Sequence, residues 1–171
     1  LSTDQKIKAF ITVGAYAPIA RFIHLAHEDY PDAYFLSISF VGAQALQEAL
    51  CAYNCAPYQR KVIVSQVVPH PLADSPAAKA YVHALKVFDA GATPSFTSFE
   101  GYLVAKILLE GVRHAGKVPT RESLITALES MRGLDIGIGI PVNYSQKDHQ
   151  ALDQVWQTWL VGNHFEPMTW Q

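Results

Sequence analysis

The sequence predicts an α/β fold: a parallel sheet covered by helices, followed by a helical unit and a return to strands. Three observations carry that expectation. Apolar, β-branched runs at Lys8–Val13, Ala33–Ile38 and Lys61–Val68 alternate with segments of helical periodicity, the rhythm of β-α-β units. The middle of the chain, from Ser75 to Met131, reads as helices separated by short Gly- and Pro-containing loops. The last third changes character again, with strand-like runs and a Gly162-Asn163 turn signal.

Lys8-Ala-Phe-Ile-Thr-Val13 ends at Gly14 and reads as a buried parallel strand. Pro18 suits the first turn of a helix, where a missing N–H costs nothing, and Ile19, Phe22, Ile23 and Ala26 form its apolar stripe. Asp32 precedes a second strand over Ala33–Ile38, and Gly42–Leu50 reads as a second helix. Lys61–Val68 is a third strand, stopped by Pro69-His70-Pro71. Phe10–Val13, Tyr34–Ser37 and Val62–Val67 are therefore expected as neighbouring parallel strands. Ser75-Pro76 starts a helix that continues over Ala77–Phe88. Ser95–Ala115 is a long helix, apolar on most of its circumference and expected to be buried on two sides, with Gly116 as its stop. Pro119-Thr120 starts another, whose core face is Leu124, Ala127, Leu128 and Met131. Ile136–Tyr144 and Gln154–Val161 read as strands. Pro69–Pro71 and Gly133–Gly139 are the natural crossings between two packing units.

Composition narrows the class. The chain has 171 residues, half of them apolar, with 16% charged and a net charge of −2; that is a folded globular composition. No basic stripe interleaves with aromatics, so we expect no nucleic-acid partner. The longest apolar stretch, Tyr102–Val112, is interrupted by Lys106 and Glu110 and cannot span a bilayer. Leu1-Ser-Thr-Asp-Gln-Lys6 has neither an initiator methionine nor the character of a signal peptide, so an excised or processed piece is expected. Cys51 and Cys55 stand four apart. They read either as two half-buried thiols or, if Asn54 ends the helix, as a local disulfide of an oxidising compartment.

Catalytic and metal chemistry find little support. His24-Leu-Ala-His27-Glu28 puts two histidines on one helical turn, but its order matches neither orientation of the zincin pattern; with Asp29 following, a solvated helix end is expected. No second Cys or His pair stands at zinc-ligand spacing around Cys51 and Cys55, so neither metal nor cofactor is expected. There is no Gly-x-Ser-x-Gly elbow. Ser37 and Ser39 sit at a strand end, and a small α/β hydrolase would need a histidine beside one of them. Gly137-Ile-Gly139 lacks the third glycine and the following helix of a phosphate loop. The expectation is a binding protein with no catalytic residue.

Two strand ends remain. In open α/β sheets ligands bind beyond the carboxyl ends of the strands. Gly14-Ala-Tyr-Ala-Pro18 offers a ring, a hydroxyl and the free N–H groups of a helix start; Ser37-Ile-Ser-Phe-Val-Gly42 offers two hydroxyls and a phenyl ring. We expect Tyr16, Ala17, Ser39 and Phe40 to line a ligand cleft.

Those segments also resemble the type I periplasmic binding proteins, specifically the leucine/isoleucine/valine-binding branch. The resemblance is carried by Val13–Pro18, Phe35–Gly42, Val64–Pro69, Ser98–Ala105 leading into Gly111–Gly116, and Thr120–Leu128. In that order they run from about Phe10 to Gly162, nearly the whole chain. The resemblance implies a partial type I fold, a two-lobed receptor that closes on its ligand about hinge crossings. Residues 1–68 with 136–171 would belong to lobe two, and 69–135 would be a helical part of lobe one, with the N-terminal lobe-one sheet missing. It implies an extracytoplasmic solute-binding protein delivering a small organic ligand to the membrane permease of an ABC transporter. The same fold serves as the sensory domain of membrane signalling proteins. Tyr16 matches a position whose ring lines the cleft. Ser39 falls where amino-acid binders place a glutamate for the ligand's ammonium; without that countercharge a neutral or anionic, aromatic ligand is expected. The uncovered Ser95–Ala115 helix suggests a homodimer.

Overall fold

The computed structural model describes residues 7–52 and 54–169; the Leu1–Lys6 stretch lies outside the described residues. The chain divides into two compact units, one ending at Val67 and resuming at Val155, the other spanning Val68–Gln154.

The first unit is built on five strands: β1 (Ala9–Thr12), β2 (Tyr34–Ile38), β3 (Val62–Gln66), β4 (Trp156–Val161) and β5 (His164–Pro167). Their spatial order follows the chain. β1, β2 and β3 are parallel neighbours, as the sequence predicts, and β4 and β5 add on antiparallel. Helices α1 (Tyr16–Asp29) and α2 (Ala43–Cys51) supply the crossovers. Period-two alternation decides which residues are buried. Phe35, Ser37, Val62, Val64, Gln66, Thr158 and Leu160 are all buried. The rings of Phe10 and Phe35 stack at 5.4 Å, and Phe22 of α1 packs edge-on against both at 5.3 and 6.3 Å, which pins α1 to this face.

Two expectations change here. Lys8–Val13 does not form a buried strand: β1 is the sheet's edge, and Ile11 on its other face is 81% exposed. α1 starts two residues before Pro18, at Tyr16, so Pro18 occupies the first turn but not its first position. Between β2 and α2 the chain makes a short 3₁₀ turn, Ser39–Val41, and Gly42 closes it at φ +73°, a left-handed conformation that favours glycine. α2 ends at Cys51, and the sulfurs of Cys51 and Cys55 are bonded, with Cα atoms 4.3 Å apart. Of the two readings of this pair, the structure takes the disulfide. The segment after it is tied to the β4–β5 hairpin: Gln59 donates from Nε2 to the carbonyl of Gly162 at 3.1 Å and accepts the Gly162 N–H at 2.6 Å.

The second unit carries α3 (Pro76–Phe88), α4 (Phe96–His114) and α5 (Arg121–Glu129). Each starts on a hydroxyl cap: Ser75 accepts from the Ala78 N–H, Ser95 from Ser98, and Thr120 exchanges bonds with Ser123 in a capping box. Buried Tyr81 fastens α3 to the start of α4, its hydroxyl meeting Ser98 Oγ and accepting the Ser95 N–H. Phe99, Leu103, Ile107 and Gly111 form the buried line of α4, while Val104, Leu108, Leu109 and Val112 are exposed. That helix is thus covered on one side, not two. No described helix is long and apolar enough to cross a membrane.

Residues 136–144 are not a strand. Ile136, Ile138 and Val142 are buried at even spacing, which imitates a strand pattern. Gly137 and Gly139, at φ +85° and +83°, break the extended backbone, leaving one isolated bridge between Leu134 and Val142. Gly137 also lets the loop approach α3: its carbonyl accepts the Ala77 N–H at 3.0 Å, and a Cβ there would stand 3.0 Å from that nitrogen. The glycines of this loop serve packing. The stretch 136–154 accordingly belongs with the second unit, and the chain re-enters the first at Val155, not at 136.

Candidate functional site

The parallel strands end together in a band of neutral polar groups. Thr12 and Ser37 are register partners. Thr12 Oγ1 donates to the Leu36 carbonyl at 3.1 Å, so at the 2.7 Å contact between the hydroxyls Ser37 is the donor. On the neighbouring pair, Ser65 donates to Gln157 Oε1 at 2.9 Å. Gln66 Nε2 donates to Thr158 Oγ1 at 3.2 Å, and Thr158 Oγ1 donates in turn to the Val64 carbonyl at 2.9 Å. Ser37, Gln66 and Thr158 are buried, and these bonds remove the cost of burying them.

Just beyond that band lie the four residues expected to line a cleft. Tyr16 and Ala17 open α1, four and five residues past Thr12 at the end of β1. Ser39 and Phe40 form the 3₁₀ turn directly after β2. Because β1 and β2 are parallel neighbours, both turns leave the sheet at the same end, beyond the strands' carboxyl termini. Phe40 is 73% exposed and Tyr16 45%, so neither ring is used up in packing its own loop. α1 has no side-chain cap and no acidic residue in its first turn, which leaves its first N–H groups unmatched by the chain's own side chains.

The alternatives weighed in the sequence look different in the structure. Ser37 is 5% exposed and its hydroxyl bonds to Thr12, not to an imidazole, an arrangement without an activated nucleophile. His24 and His27 do not form a solvated helix end. His24 Nδ1 lies 3.0 Å from the Tyr58 hydroxyl, and the His27 ring meets the Tyr58 ring edge-on at 5.4 Å. His27 Nδ1 is buried without a hydrogen-bond partner. Burial, followed by the Lys61 charge, holds its pKa below that of an ordinary histidine.

Sequence reasoning missed one feature. In the second unit, α4, α5 and the following loop line an open groove of about 370 Å³, with Val104, Leu108, Ile125 and Leu128 on its apolar wall. Tyr144 and a Glu129–His149 pair, Oε1 to Nε2 at 3.0 Å, border it. Desolvation raises the Tyr144 pKa. The i,i+4 pairs Val104/Leu108 and Ile125/Glu129 were its only local signal, and the Tyr144–His149 loop carries none.

Comparison with known proteins places this architecture. A sequence model described as periplasmic binding protein matches residues 26–162. Among solved structures, a possible leucine/isoleucine/valine-binding protein from Rhodopirellula baltica SH 1 is 34% identical, with a TM-score of 0.85 over 95% of this chain and 43% of its own. A branched-chain amino-acid ABC transporter protein from Thermus thermophilus with bound valine is 16% identical, TM-score 0.75, over 96% of this chain and 45% of its own. A fatty acid ABC transporter substrate-binding protein from Thermomonospora curvata is 20% identical, TM-score 0.74, over 88% and 39%. The latter two share the fold. No curated protein matches. The chain spans less than half the length of each of these solved structures. With its family model matched over most of its length and its three parallel strands neighbouring as expected, the chain belongs to the periplasmic binding protein family, with a partial type I fold.

Proposed function

We propose that this chain is the ligand-holding part of an extracytoplasmic receptor that captures a small organic solute by hinge closure for ABC-type uptake, without chemistry on the solute. The observation that supports this reading is the pair of strand-to-helix turns at one end of the sheet, Tyr16-Ala17 and Ser39-Phe40, with exposed rings beside a band of satisfied polar groups. The carboxyl ends of the strands are where open α/β sheets receive ligands. The unit of β1–β5 corresponds to lobe two, and the helical unit from Val68 to Gln154 to part of lobe one. The Cys51–Cys55 disulfide suits an oxidising, extracytoplasmic compartment.

The test is native mass spectrometry of the purified protein beside its Tyr16→Ala variant. The expected result is a small molecule that co-purifies with the parent and is lost from the variant, whose circular dichroism is unchanged. Loss of ring contact should weaken binding by about 1–3 kcal/mol. A solute held equally by both proteins would move the cleft away from Tyr16.

A further inference from the structure

We infer that the part of the ligand resting on the carboxyl ends of β1 and β2 is electroneutral and largely apolar, so that this end of the sheet selects for a neutral aromatic or aliphatic body over an ammonium or a carboxylate. The inference rests on the ligand site proposed above and names the chemistry it accepts. Three stretches meet at the carboxyl ends of the parallel strands: Thr12–Pro18, Ile38–Gln44 and Ser65–Pro69. None of them contains Asp, Glu, Lys, Arg or His. Every polar group there is a hydroxyl or an amide. The deeper ones are already engaged: Ser37 donates to Thr12, Thr12 to the Leu36 carbonyl, and Gln66 to Thr158.

What this end presents outward is apolar. Val13 is 72% exposed and Phe40 73%, and Tyr16, Ile38 and Val67 are exposed as well. A charged group brought against such a rim gives up water and meets no charged side chain from these three stretches; the start of α1 returns only a small part of that loss to an anion. An uncharged ring or alkyl body gains instead, because both surfaces leave water. The exposed Tyr16 hydroxyl and the Ser39 side chain can each exchange one hydrogen bond with a neutral amide or hydroxyl, which orients the ligand without a charge.

The test is thermal-shift and calorimetric titration of the protein with three probes: benzamide (neutral), benzoate (anionic) and L-leucine (zwitterionic). Benzamide should stabilise the parent, with at least tenfold weaker binding to Tyr16→Ala. Ser39→Glu should gain affinity for leucine and leave the anion excluded. Tighter binding of leucine or benzoate than of benzamide, still sensitive to Tyr16→Ala, would overturn the ligand class and leave the site reading intact. Benzamide binding that ignores both Tyr16→Ala and Phe40→Ala would overturn the site itself. Absence of any benzamide response overturns the inference. So does a Phe40→Ala variant that turns a dimer into a monomer in sedimentation without changing benzamide binding, since the rim would then cover a second copy.

Discussion

The Ser37 hydroxyl donates to Thr12 Oγ1 at 2.7 Å, while Thr12 donates onward to the Leu36 carbonyl. The bond joins register partners on the two strands that hold the proposed ligand turns. Its direction makes the two residues unequal, and the inequality is measurable.

Ser37→Ala removes a donor but leaves Thr12 bonded to Leu36, so its cost should be about 1 kcal/mol. Thr12→Val leaves a buried serine hydroxyl with no acceptor, and the cost should rise to about 2–3 kcal/mol. Adding Ser37→Ala to Thr12→Val should recover part of that loss. Urea unfolding of the three variants checks the order; equal single costs that add in the double variant would mean the hydroxyls are independent.

Gly111 lies mid-helix in α4, where Gly→Ala ordinarily gains about 1 kcal/mol. Here a Cβ would stand 2.7 Å from Leu128 Cδ2 and 3.1 Å from Leu124 Cδ1, both on α5. Overpacking of this kind costs about 1–3 kcal/mol, so Gly111→Ala should lower stability by about 1 kcal/mol net. In a Leu128→Ala background the same change should become neutral or stabilising. Thermal melts of the four proteins decide it.

Much of this was legible in the sequence, and the reasons are local. Pro69-His-Pro71 can only end a strand, and Ser75-Pro76, Ser95 and Thr120 are caps whose chemistry is written in the residue itself. The parallel order of β1–β3 followed from the β-α-β rhythm. What failed depended on partners distant in sequence. β1 looks like a buried strand because its composition does not reveal that it forms the sheet's edge. Residues 136–144 alternate like a strand, yet Gly137 and Gly139 fold them against α3. The positions of Tyr16, Ala17, Ser39 and Phe40 just past two strand ends could be read directly. The Thr12–Ser37 bond could not, because it requires the register.

Reduction of the Cys51–Cys55 bond should cost little. The bridge closes a loop of about five residues, and loop-closure entropy at that length is worth about 2 kcal/mol in the unfolded chain. Adding a thiol reductant should lower the urea midpoint by a corresponding, small amount. A Cys51→Ser, Cys55→Ser double variant should match the reduced parent and ignore reductant. If reductant unfolds the first unit outright, the bridge does more than close its local loop.

His27 should make the protein lose stability in mild acid. Its Nδ1 is buried and unpartnered, the Tyr58 ring lies against its edge, and Lys61 and His24 add positive charge nearby. Asp32 opposes them only in part, because burial and Lys61 dominate and the folded-state pKa lies below 6.5. A lowered histidine pKa means that the unfolded chain binds more protons than the folded one below about pH 6.5. Stability therefore is fully present above that pH and falls as acid is added through the window beneath it. His27→Phe keeps a ring against Tyr58 and removes the titration. Urea midpoints measured from about pH 7.5 to 5.5 should drop for the parent and drop less for His27→Phe, with His24→Phe as the control for the other imidazole on that turn. An unchanged slope in His27→Phe would assign the acid sensitivity to another group.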